Sequence, residues 1–391
     1  MTTSVAAQDS TGVRDTSLTP GQDTTTGLPL KPARTIRFST DEGTWLSLDV
    51  SPDGKTIVFD LLGDIYTVPV GGGASTRLTS GMAFDAQPRY SPDGRRIVFA
   101  SDRSGAENLW LIDAGGKHPK PLTKGDKGQY ISPEWTPDGN YVVVSRSTTD
   151  IRSSTYNLYL YHVDGGTGIK LTNHDKPEAG SSGGGETRNY MGAAFGSDPR
   201  YIYASEKRGG FGYNLQFPLW QVVVYDRETG EVHRRTDAFG SAMRPVLSPD
   251  GRYLVYATRE DSVTSLRLRE TASGDERWLV HEVQRDDQES RYTRDNMPGM
   301  SFMPDGTALI ASWGGKIHRI EIPSGTTTVI PFTAEVEQQL GPLVHFEVPL
   351  DDSILTVQQI RHARPSPDGN RLAFTALDRL WIMDLPDGEP R

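Results

Sequence analysis

One serine stands in a pattern that could do nucleophilic chemistry. Gly180–Gly184 reads G-x-S-x-G, the pentapeptide that in many hydrolases exposes a serine hydroxyl on a sharp turn between a strand and a helix. Pro177–Ala179 precede it and Gly185–Thr187 follow it, and neither flank has the apolar period of a strand or a helix. The pattern therefore indicates a glycine-rich loop, and no catalytic residue is predicted from it.

The histidines and acidic residues do not have the spacing of a metal site. No two of the 8 histidines lie close together along the chain, so H-x-H and H-E-x-x-H are both absent. Asp286, Asp287 and Glu289 form an acidic cluster, but the spacing and the glycine of an EF-hand are missing. The absence of cysteine excludes disulfides and thiolate ligands. We therefore predict no metal site and no other cofactor.

A turn signal recurs seven times and organises the rest of the chain. Six copies contain Pro-Asp-Gly, and Gly196–Pro199 is a degenerate copy in the middle. The complete copies are Ser51–Gly54, Ser91–Gly94, Thr136–Gly139, Ser248–Gly251, Met303–Gly306 and Ser366–Gly369. They recur at intervals of about 40 to 60 residues, a period that is typical of propellers and solenoids.

Each turn is flanked by short apolar and β-branched runs. Proline presets φ at the second position of such a turn, aspartate bonds its own backbone, and glycine takes the position with positive φ. In the second repeat the runs after the turn are Ile97–Ala100, Leu109–Asp113 and Pro121–Thr123, and the run before it makes a fourth. Four strands per repeat predict an all-β fold, a β-propeller of four-stranded antiparallel blades. We predict seven blades over residues 34–391, after a disordered polar segment over residues 1–33.

The seventh repeat lacks an outer strand. Its last apolar run, Leu380–Asp384, is followed only by Asp387–Arg391. An additional strand-like run, Thr35–Ser39, precedes the first repeat and has no partner within it. We predict that this N-terminal run supplies the outer strand of blade seven, because such a clasp pairs an edge that is otherwise exposed. The alternative is that the chain is truncated and that the true strand is encoded downstream.

The charge and the hydropathy pattern argue against two classes of partner. The formal net charge is −10, from 51 acidic and 41 basic residues. Nucleic acids and anionic membranes are bound through clusters of lysine and arginine, which an acidic chain does not favour. No apolar run approaches the roughly 18 residues that a membrane-spanning helix needs. We expect no nucleic-acid partner and no membrane span.

The order of the motifs resembles the repeats of TolB-type propellers. A strand, Ser-Pro-Asp-Gly, a strand, Ser-Asp-Arg-x-Gly, a Leu-Trp strand, Gly-Gly and a strand ending in Leu-Thr follow one another from residue 35 onwards. Thr44–Gly54, Phe59–Tyr66, Val357–Arg361 and Asp378–Pro386 are similar, more narrowly, to the N-terminal propeller of secreted metal-dependent amidohydrolases. In that group a catalytic barrel follows the propeller, and no such barrel is present in these 391 residues.

The resemblance implies a non-catalytic binding domain. Its partner would be a catalytic domain absent from this chain, or a peptide or small-molecule substrate that the propeller screens or positions. The alternative is an autonomous periplasmic propeller of TolB type that docks a protein partner. Both imply a periplasmic or secreted protein. The polar N-terminus has no apolar signal-peptide core, although Val5–Gln8 resembles the small-residue end of a cleavage site.

The mouth of the central channel is the predicted binding surface. The strand before each turn is expected to be innermost, and polar and aromatic residues cluster where these strands begin. Convergent polar groups at a concave mouth favour a binding site, and ordinary polar channel lining is the alternative. The long loop 173–189 in the fourth repeat is a further candidate contact. The predicted mouth residues are Trp45, Asp85, Tyr130, Arg188, Asn189, Arg244, Asp295, Asn296, Arg361 and His362.

Overall fold

The computed structural model describes residues 31–147, 155–172, 188–208, 219–288, 294–342 and 356–391. Every regular secondary-structure element within these ranges is a β-strand, so the predicted all-β class is confirmed. The strands belong to two compact units, Met1–Pro342 and Leu343–Arg391. The segment predicted to be disordered lies almost entirely outside the described residues.

The first unit contains six four-stranded sheets, which we call blades one to six. Strand β1 (Arg34–Thr40) precedes them. Blade one consists of β2 (Leu48–Val50), β3 (Thr56–Leu61), β4 (Asp64–Pro69) and β6 (Thr76–Arg77), with β5 (Gly73–Ala74) between its last two strands. Blade two consists of β7 (Asp85–Tyr90), β8 (Arg96–Ser101), β9 (Asn108–Asp113) and β10 (Lys120–Pro121). Blade three consists of β11 (Gln129–Trp135), β12 (Tyr141–Ser147), β13 (Tyr156–His162) and β14 (Ile169–Lys170).

The remaining blades follow the same plan. Blade four consists of β15 (Arg188–Phe195), β16 (Tyr201–Arg208), β17 (Trp220–Asp226) and β18 (Val232–Arg234). Blade five consists of β19 (Met243–Leu247), β20 (Tyr253–Glu260), β21 (Val263–Glu270) and β22 (Glu276–Val280). Blade six consists of β23 (Ser301–Phe302), β24 (Ala308–Trp313), β25 (Lys316–Glu321) and β26 (Thr327–Ile330), and β27 (Phe332–Leu340) follows it. In every blade the strands pair in chain order, so each blade is an antiparallel meander.

In blades one, two, three and five the Pro-Asp-Gly turn joins the first two strands through the same hydrogen bonds. In blade two, Ser91 Oγ donates to Asp93 Oδ1 over 2.5 Å and accepts the N–H of Arg96 over 2.9 Å. The bond from the serine hydroxyl holds the pKa of the Asp93 carboxyl below its usual range. Blade six has no hydroxyl at the corresponding position, and there Thr307 Oγ1 donates to Asp305 instead.

The Leu-Thr ends of the outer strands secure the other side of the blade. Thr123 Oγ1 accepts the backbone N–H of Leu109 over 2.9 Å, which extends the pairing between the last two strands of blade two by a side-chain bond. Threonines 79, 172 and 236 make the same bond in blades one, three and four. The repeated Thr thus satisfies a backbone donor that an outer strand of only two or three residues leaves unpaired.

Blade six packs directly against blade one. Leu48 N donates to Gly299 O over 3.1 Å, and Ser312 Oγ donates to Leu46 O over 2.6 Å. A single apolar cluster contains side chains of both blades, and the inner strands of the six blades contact one another in a closed cyclic order. The predicted count of seven blades in one ring is therefore not confirmed. Six repeats close on themselves, and the seventh belongs to the second unit.

Strand β1 pairs with β27 and not with the last strand of the seventh repeat, so the predicted clasp on blade seven is wrong. Arg34 lies opposite Leu340, and the antiparallel pairing continues to the end of β1. The other edge of β27 pairs in parallel with β5. Alternate side chains of β27 are buried, and the Phe332 ring lies 5.2 Å from the ring of Phe59 in blade one. The nine-residue β27 thus offers a longer partner than any outer blade strand, and its apolar face covers blade one.

The second unit contains one three-stranded antiparallel sheet. Its strands are β28 (Arg361–Pro365), β29 (Arg371–Ala376) and β30 (Arg379–Asp384). The turn between the first two strands carries the repeated bond, in which Ser366 Oγ donates to Asp368 over 2.5 Å. Residues Ile382 and Arg391 exchange two backbone hydrogen bonds of 3.0 Å at the edge of β30. The seventh repeat therefore forms its turn and its first three strands as the sequence predicts.

We predict that cysteines at positions 37 and 337 will form a disulfide. The two residues are direct cross-strand partners, at a Cα separation of about 4.5 to 5.5 Å that suits a disulfide. The chain has no cysteine of its own, so Arg37→Cys with Glu337→Cys gives a clean readout by non-reducing electrophoresis. The matched pair Arg37→Cys with Leu380→Cys should stay reduced. A bridge in the second pair and none in the first would restore the clasp on blade seven.

Candidate functional site

The inner strands of blades two to five bend at equivalent positions. Six residues before the turn aspartate lie Ser47, Gln87, Ser132, Gly192, Arg244 and Gly299. The strand register shifts at this point in blades two to five. The φ angles of Gln87, Ser132 and Arg244 are 57°, 53° and 50°, in the left-handed region. A β-bulge re-aims the side chains that it carries, and here the bulges bring side chains of different blades together.

An ion pair between Arg244 and Asp295 lies at the centre of this convergence. Arg244 Nη1 is 2.5 Å from Asp295 Oδ2, and the side chains are only 4% and 1% exposed. Ser132 Oγ of blade three donates to the same carboxylate oxygen. Ser132 N donates to Gln87 Oε1 of blade two over 2.9 Å. The carboxylate therefore links blades three and five directly, and Ser132 connects it to blade two.

A second layer of charged side chains lies two residues further along the inner strands of blades one, two and three. Arg89 of blade two is 3.1 Å from Asp49 of blade one and 3.2 Å from Glu134 of blade three. Arg89 Nη1 also donates to the carbonyl of Met300, which precedes blade six, over 3.2 Å. Burial raises the pKa of the Glu134 carboxyl, and Arg89 opposes this rise. The two charged layers together connect the inner strands of blades one, two, three and five and the segment before blade six.

Glycines leave the space that the Arg244 side chain occupies. A Cβ atom at Gly192 would lie 3.2 Å from both Arg244 Cδ and Asp295 Oδ2, and φ at this residue is +65°. A Cβ atom at Gly299 would lie 3.2 Å from Arg244 Nη2. Blades four and six thus contribute no side chain at this position, which leaves room for the long Arg244 side chain of blade five. The axis is therefore filled by side chains at the level of the bulges.

A cavity of about 290 Å³ opens beside the axial cluster, between blades one and two. We call it the mouth cavity. Trp45 and Phe84 provide aromatic surface, and Asp60, Asp85 and Arg294 provide charge. The Trp45 backbone has a φ of 57°, and its indole N–H is buried without an acceptor among the described residues. A strained residue with an unused donor is typical of a binding site.

Asp60 is a buried carboxylate without an ion-pair partner in the part of the chain that the structure describes. Its Oδ1 accepts the N–H of Ser47 and its Oδ2 accepts the N–H of Gln87, each over 2.8 Å. These bonds tie the carboxylate to two of the axial positions. Among the described residues no arginine, lysine or histidine lies within ion-pair distance of it. Burial raises the pKa of Asp60 to about 7, because loss of hydration penalises the charged form more than the two N–H donors and the positive charge of Arg294 stabilise it.

The other charges of the mouth cavity have partners. Arg103 pairs with Asp85, which also accepts a 2.5 Å hydrogen bond from Ser101. Arg294 lies 3.0 Å from Glu107 and stacks over the Phe84 ring at 4.8 Å. Asp85 thus has an ion-pair partner, whereas Asp60 has none among the described residues and is only partly stabilised by the nearby charge of Arg294.

Five of the predicted mouth residues lie at the axial cluster or line the cavity beside it. Trp45 and Asp85 line the mouth cavity. Arg244 and Asp295 form the axial ion pair. Asn296 is buried next to this pair, and its side-chain Nδ2 finds no acceptor among the described residues. These five residues come from blades one, two and five and from the segment before blade six.

Three other predicted residues lie away from the axis. Tyr130 is packed between blades two and three. Arg188 pairs with Glu206 within blade four at 3.5 Å. The Asn189 side chain accepts the backbone N–H of Tyr156 over 3.0 Å, so it joins blades three and four. Tyr130 and Asn189 thus contact a neighbouring blade and Arg188 contacts its own, and none of the three lines the mouth cavity.

The last two predicted residues, Arg361 and His362, are exposed on β28 of the second unit. They are therefore not part of the site formed within the first unit. Most of the loop predicted as a contact, residues 173–187, lies outside the described residues, as does the G-x-S-x-G pattern. Asp286 of the acidic cluster pairs with Arg259 in blade five. Within the described ranges no three His, Asp or Glu residues are placed to hold one metal ion.

Sequence reasoning missed the residues that carry most of the charge. The prediction did not include Asp60 and Arg294 of the mouth cavity or Arg89 and Glu134 of the axis. The last two lie four residues before their turn aspartates, and aligning the repeats at that offset would have found them. Asp60 lies on a second strand in an apolar run, and only the packing of blade two over it creates its burial.

Comparison with known proteins agrees with this architecture. A family model described as the tricorn protease N-terminal beta propeller domain matches residues 48–201. The crystal structure of TolB from Acinetobacter baumannii superposes with a TM-score of 0.54 at 16% identity, covering 74% of this chain and 65% of that one.

The fold is a TolB-like β-propeller.

Curated relatives of the TolB-like propeller share only part of their length with it. The uncharacterized protein Atu1656 of Agrobacterium fabrum is 34% identical over 124 residues, 30% of this chain and 42% of that protein. The uncharacterized peptidase YuxL of Bacillus subtilis is 28% identical over 194 residues, 49% of this chain and 24% of that protein. The chain thus spans less than half the length of either relative. Among the described residues of the propeller chain, no helix is long and apolar enough to cross a membrane.

We predict that removing one charge of the axial pair costs about 3 to 5 kcal/mol of unfolding free energy, because its partner is left buried and unpaired. Arg244→Met should show this loss in urea unfolding. Combining it with Asp295→Asn should cost clearly less than the sum of the single variants. Arg200→Met, which breaks the more exposed pair with Asp226, is the control and should cost much less. Additive losses at Arg244 and Asp295 would contradict an ion pair that matters to the fold.

Proposed function

We propose that this propeller is a non-catalytic binding domain whose mouth cavity receives a positively charged group of a peptide or protein segment. The observation that carries the proposal is the unpaired carboxylate of Asp60 in that cavity. A buried carboxylate is costly unless a cation compensates it, and a strongly raised pKa in a cleft is typical of functional sites. A lysine or arginine side chain, or an N-terminal ammonium group, supplies the missing charge.

The walls of the mouth cavity suit the same group. Trp45 and Phe84 present aromatic surface, and cations bind favourably over aromatic faces. Asp287 adds a second carboxylate to the lining, while the charges of Asp85 and Arg294 are offset by Arg103 and Glu107. The buried indole N–H of Trp45 provides a donor for a carbonyl oxygen next to the cation. A ligand that presents a cation, packs against aromatic rings and offers a carbonyl oxygen has the features of a basic residue within a peptide chain.

Two settings accommodate such a binding domain. The sequence resemblance to propellers of exported amidohydrolases supports a domain that positions substrate for a catalytic domain outside this chain. The partial similarity to a protein named as a peptidase supports peptides as that substrate. The second candidate is an autonomous periplasmic propeller that docks a protein partner, and it is supported by the TolB-like fold. Both settings place the protein in the periplasm or outside the cell, and both use the same cavity.

We predict that a short peptide with a central lysine binds more tightly than the same peptide with norleucine, by at least about tenfold. Isothermal titration calorimetry on the full chain measures both affinities. Asp60→Asn should abolish the preference. Asp64→Asn is the matched control, because burial also raises the pKa of Asp64 to about 7 although it does not line the cavity.

The lysine preference should also depend on pH. Asp60 holds a proton until about pH 7 in the empty cavity, and only the ionised carboxylate attracts a cation. Affinity for the lysine peptide should therefore rise as pH increases through 7, while affinity for the norleucine peptide stays level. Equal affinities for the two peptides at all pH values, or an Asp60→Asn variant with an unchanged preference, would contradict the proposal.

A further inference from the structure

A second cavity lies on the side of the propeller, between the outer parts of blades two and three. Its volume is about 630 Å³, and we call it the lateral groove. Lys120 and Lys124 stand on its blade-two wall, and both are exposed. Arg146 lies on its blade-three wall. Asp164, which is exposed, is the carboxylate among the groove's lining residues. The groove is thus basic although the chain as a whole is acidic.

Arg146 is fixed between aromatic rings and has no acidic partner among the described residues. Its guanidinium carbon lies 5.1 Å from the ring centres of both Tyr130 and Tyr159. Its Nη1 donates to Tyr161 Oη over 2.8 Å. Its Nε is buried without an acceptor, and among the described residues no carboxylate lies within ion-pair distance of it. Stacking thus fixes the plane of the fork while leaving donors unused.

The opposite wall of the lateral groove is held in place. Asn108 Oδ1 accepts the N–H of Gly125 over 2.7 Å, and Asn108 Nδ2 donates to the carbonyl of Gly125 over 2.9 Å. Thr123 Oγ1 donates to the same Asn108 oxygen over 2.8 Å. The segment that carries Lys124 is therefore pinned on both sides of the lysine. A preformed wall reduces the ordering cost of binding.

We propose that the lateral groove is a binding site for an oxyanion, a carboxylate or a phosphate carried by a small ligand, with Arg146 as its main contact. A planar guanidinium matches the geometry of either group by two parallel hydrogen bonds. Lys120 and Lys124 add positive charge from the facing wall. Arginines 103 and 188 of blades two and four already pair with carboxylates of their own blades, and Arg146 does not. A bound anion would give Arg146 the carboxylate-type partner that Arg103 and Arg188 already have within the protein.

The test titrates the full chain at constant ionic strength with inorganic phosphate and, separately, with N-acetylglutamate. We expect one of the two anions to saturate the site at millimolar concentration or below. That anion shows whether the ligand carries a phosphate or a carboxylate. Arg146→Gln should lower the affinity for that anion by about tenfold. Arg146→Lys should also lower this affinity, because lysine keeps the charge but lacks the planar guanidinium. Arg319→Gln, which changes a paired arginine of blade six, is the matched control and should bind as the parent does.

A second variant guards against a fold defect at Arg146. Lys120→Gln with Lys124→Gln changes only exposed side chains, so it should keep the parent unfolding transition and still weaken the anion several-fold. The proposal is overturned if neither anion binds, or if Arg146→Gln binds as tightly as the parent. Equal weakening by Arg319→Gln would also overturn it, because binding would then follow net charge and not the groove.

Discussion

The buried ion pair between Arg244 and Asp295 is the contact on which the rest of the propeller depends. Each charge is almost fully removed from water, so each is tolerable only while the other stays in place. The pair also accepts a bond from Ser132 and fills the space left by two glycines, so it links blades that are far apart in sequence. The ring closes around this cluster with six blades because blade six meets blade one directly.

Filling the axis restricts where ligands bind. Side chains occupy the centre at the level of the inner-strand bulges, and the space that remains is beside the cluster and between blades. The mouth cavity is acidic because Asp60 is held there by backbone donors of the same two axial positions, Ser47 and Gln87. The lateral groove is basic because Arg146 is stacked between tyrosines and has no carboxylate within ion-pair distance among the described residues. One acidic chain therefore offers two small sites of opposite charge.

Much of the fold was predictable because its signals are local. The hydroxyl–aspartate turn and the terminal threonine each act within one blade, and the repeat revealed both. Closure was not predictable in the same way, because β27 has charged residues at alternate positions and resembles no blade strand. Its pairing with β1 joins residues about 300 positions apart, which no local pattern records. Asp60 was missed for a similar reason, since its burial comes from a neighbouring blade. Trp45 and Asp85 were included in the prediction because they lie at the same distance before the turn aspartates of blades one and two.

The central claim is that residues up to Pro342 close a ring of six blades around the axial charges. The most direct test is to compare the full chain with a chain that ends at Pro342, using urea unfolding and near-ultraviolet circular dichroism. The account predicts that the shorter chain remains monomeric, keeps the aromatic spectrum of the buried tryptophans and unfolds cooperatively at nearly the same urea concentration. A shorter chain that aggregates, or that loses its cooperative transition, would show that the seventh repeat is part of the ring and would contradict the account.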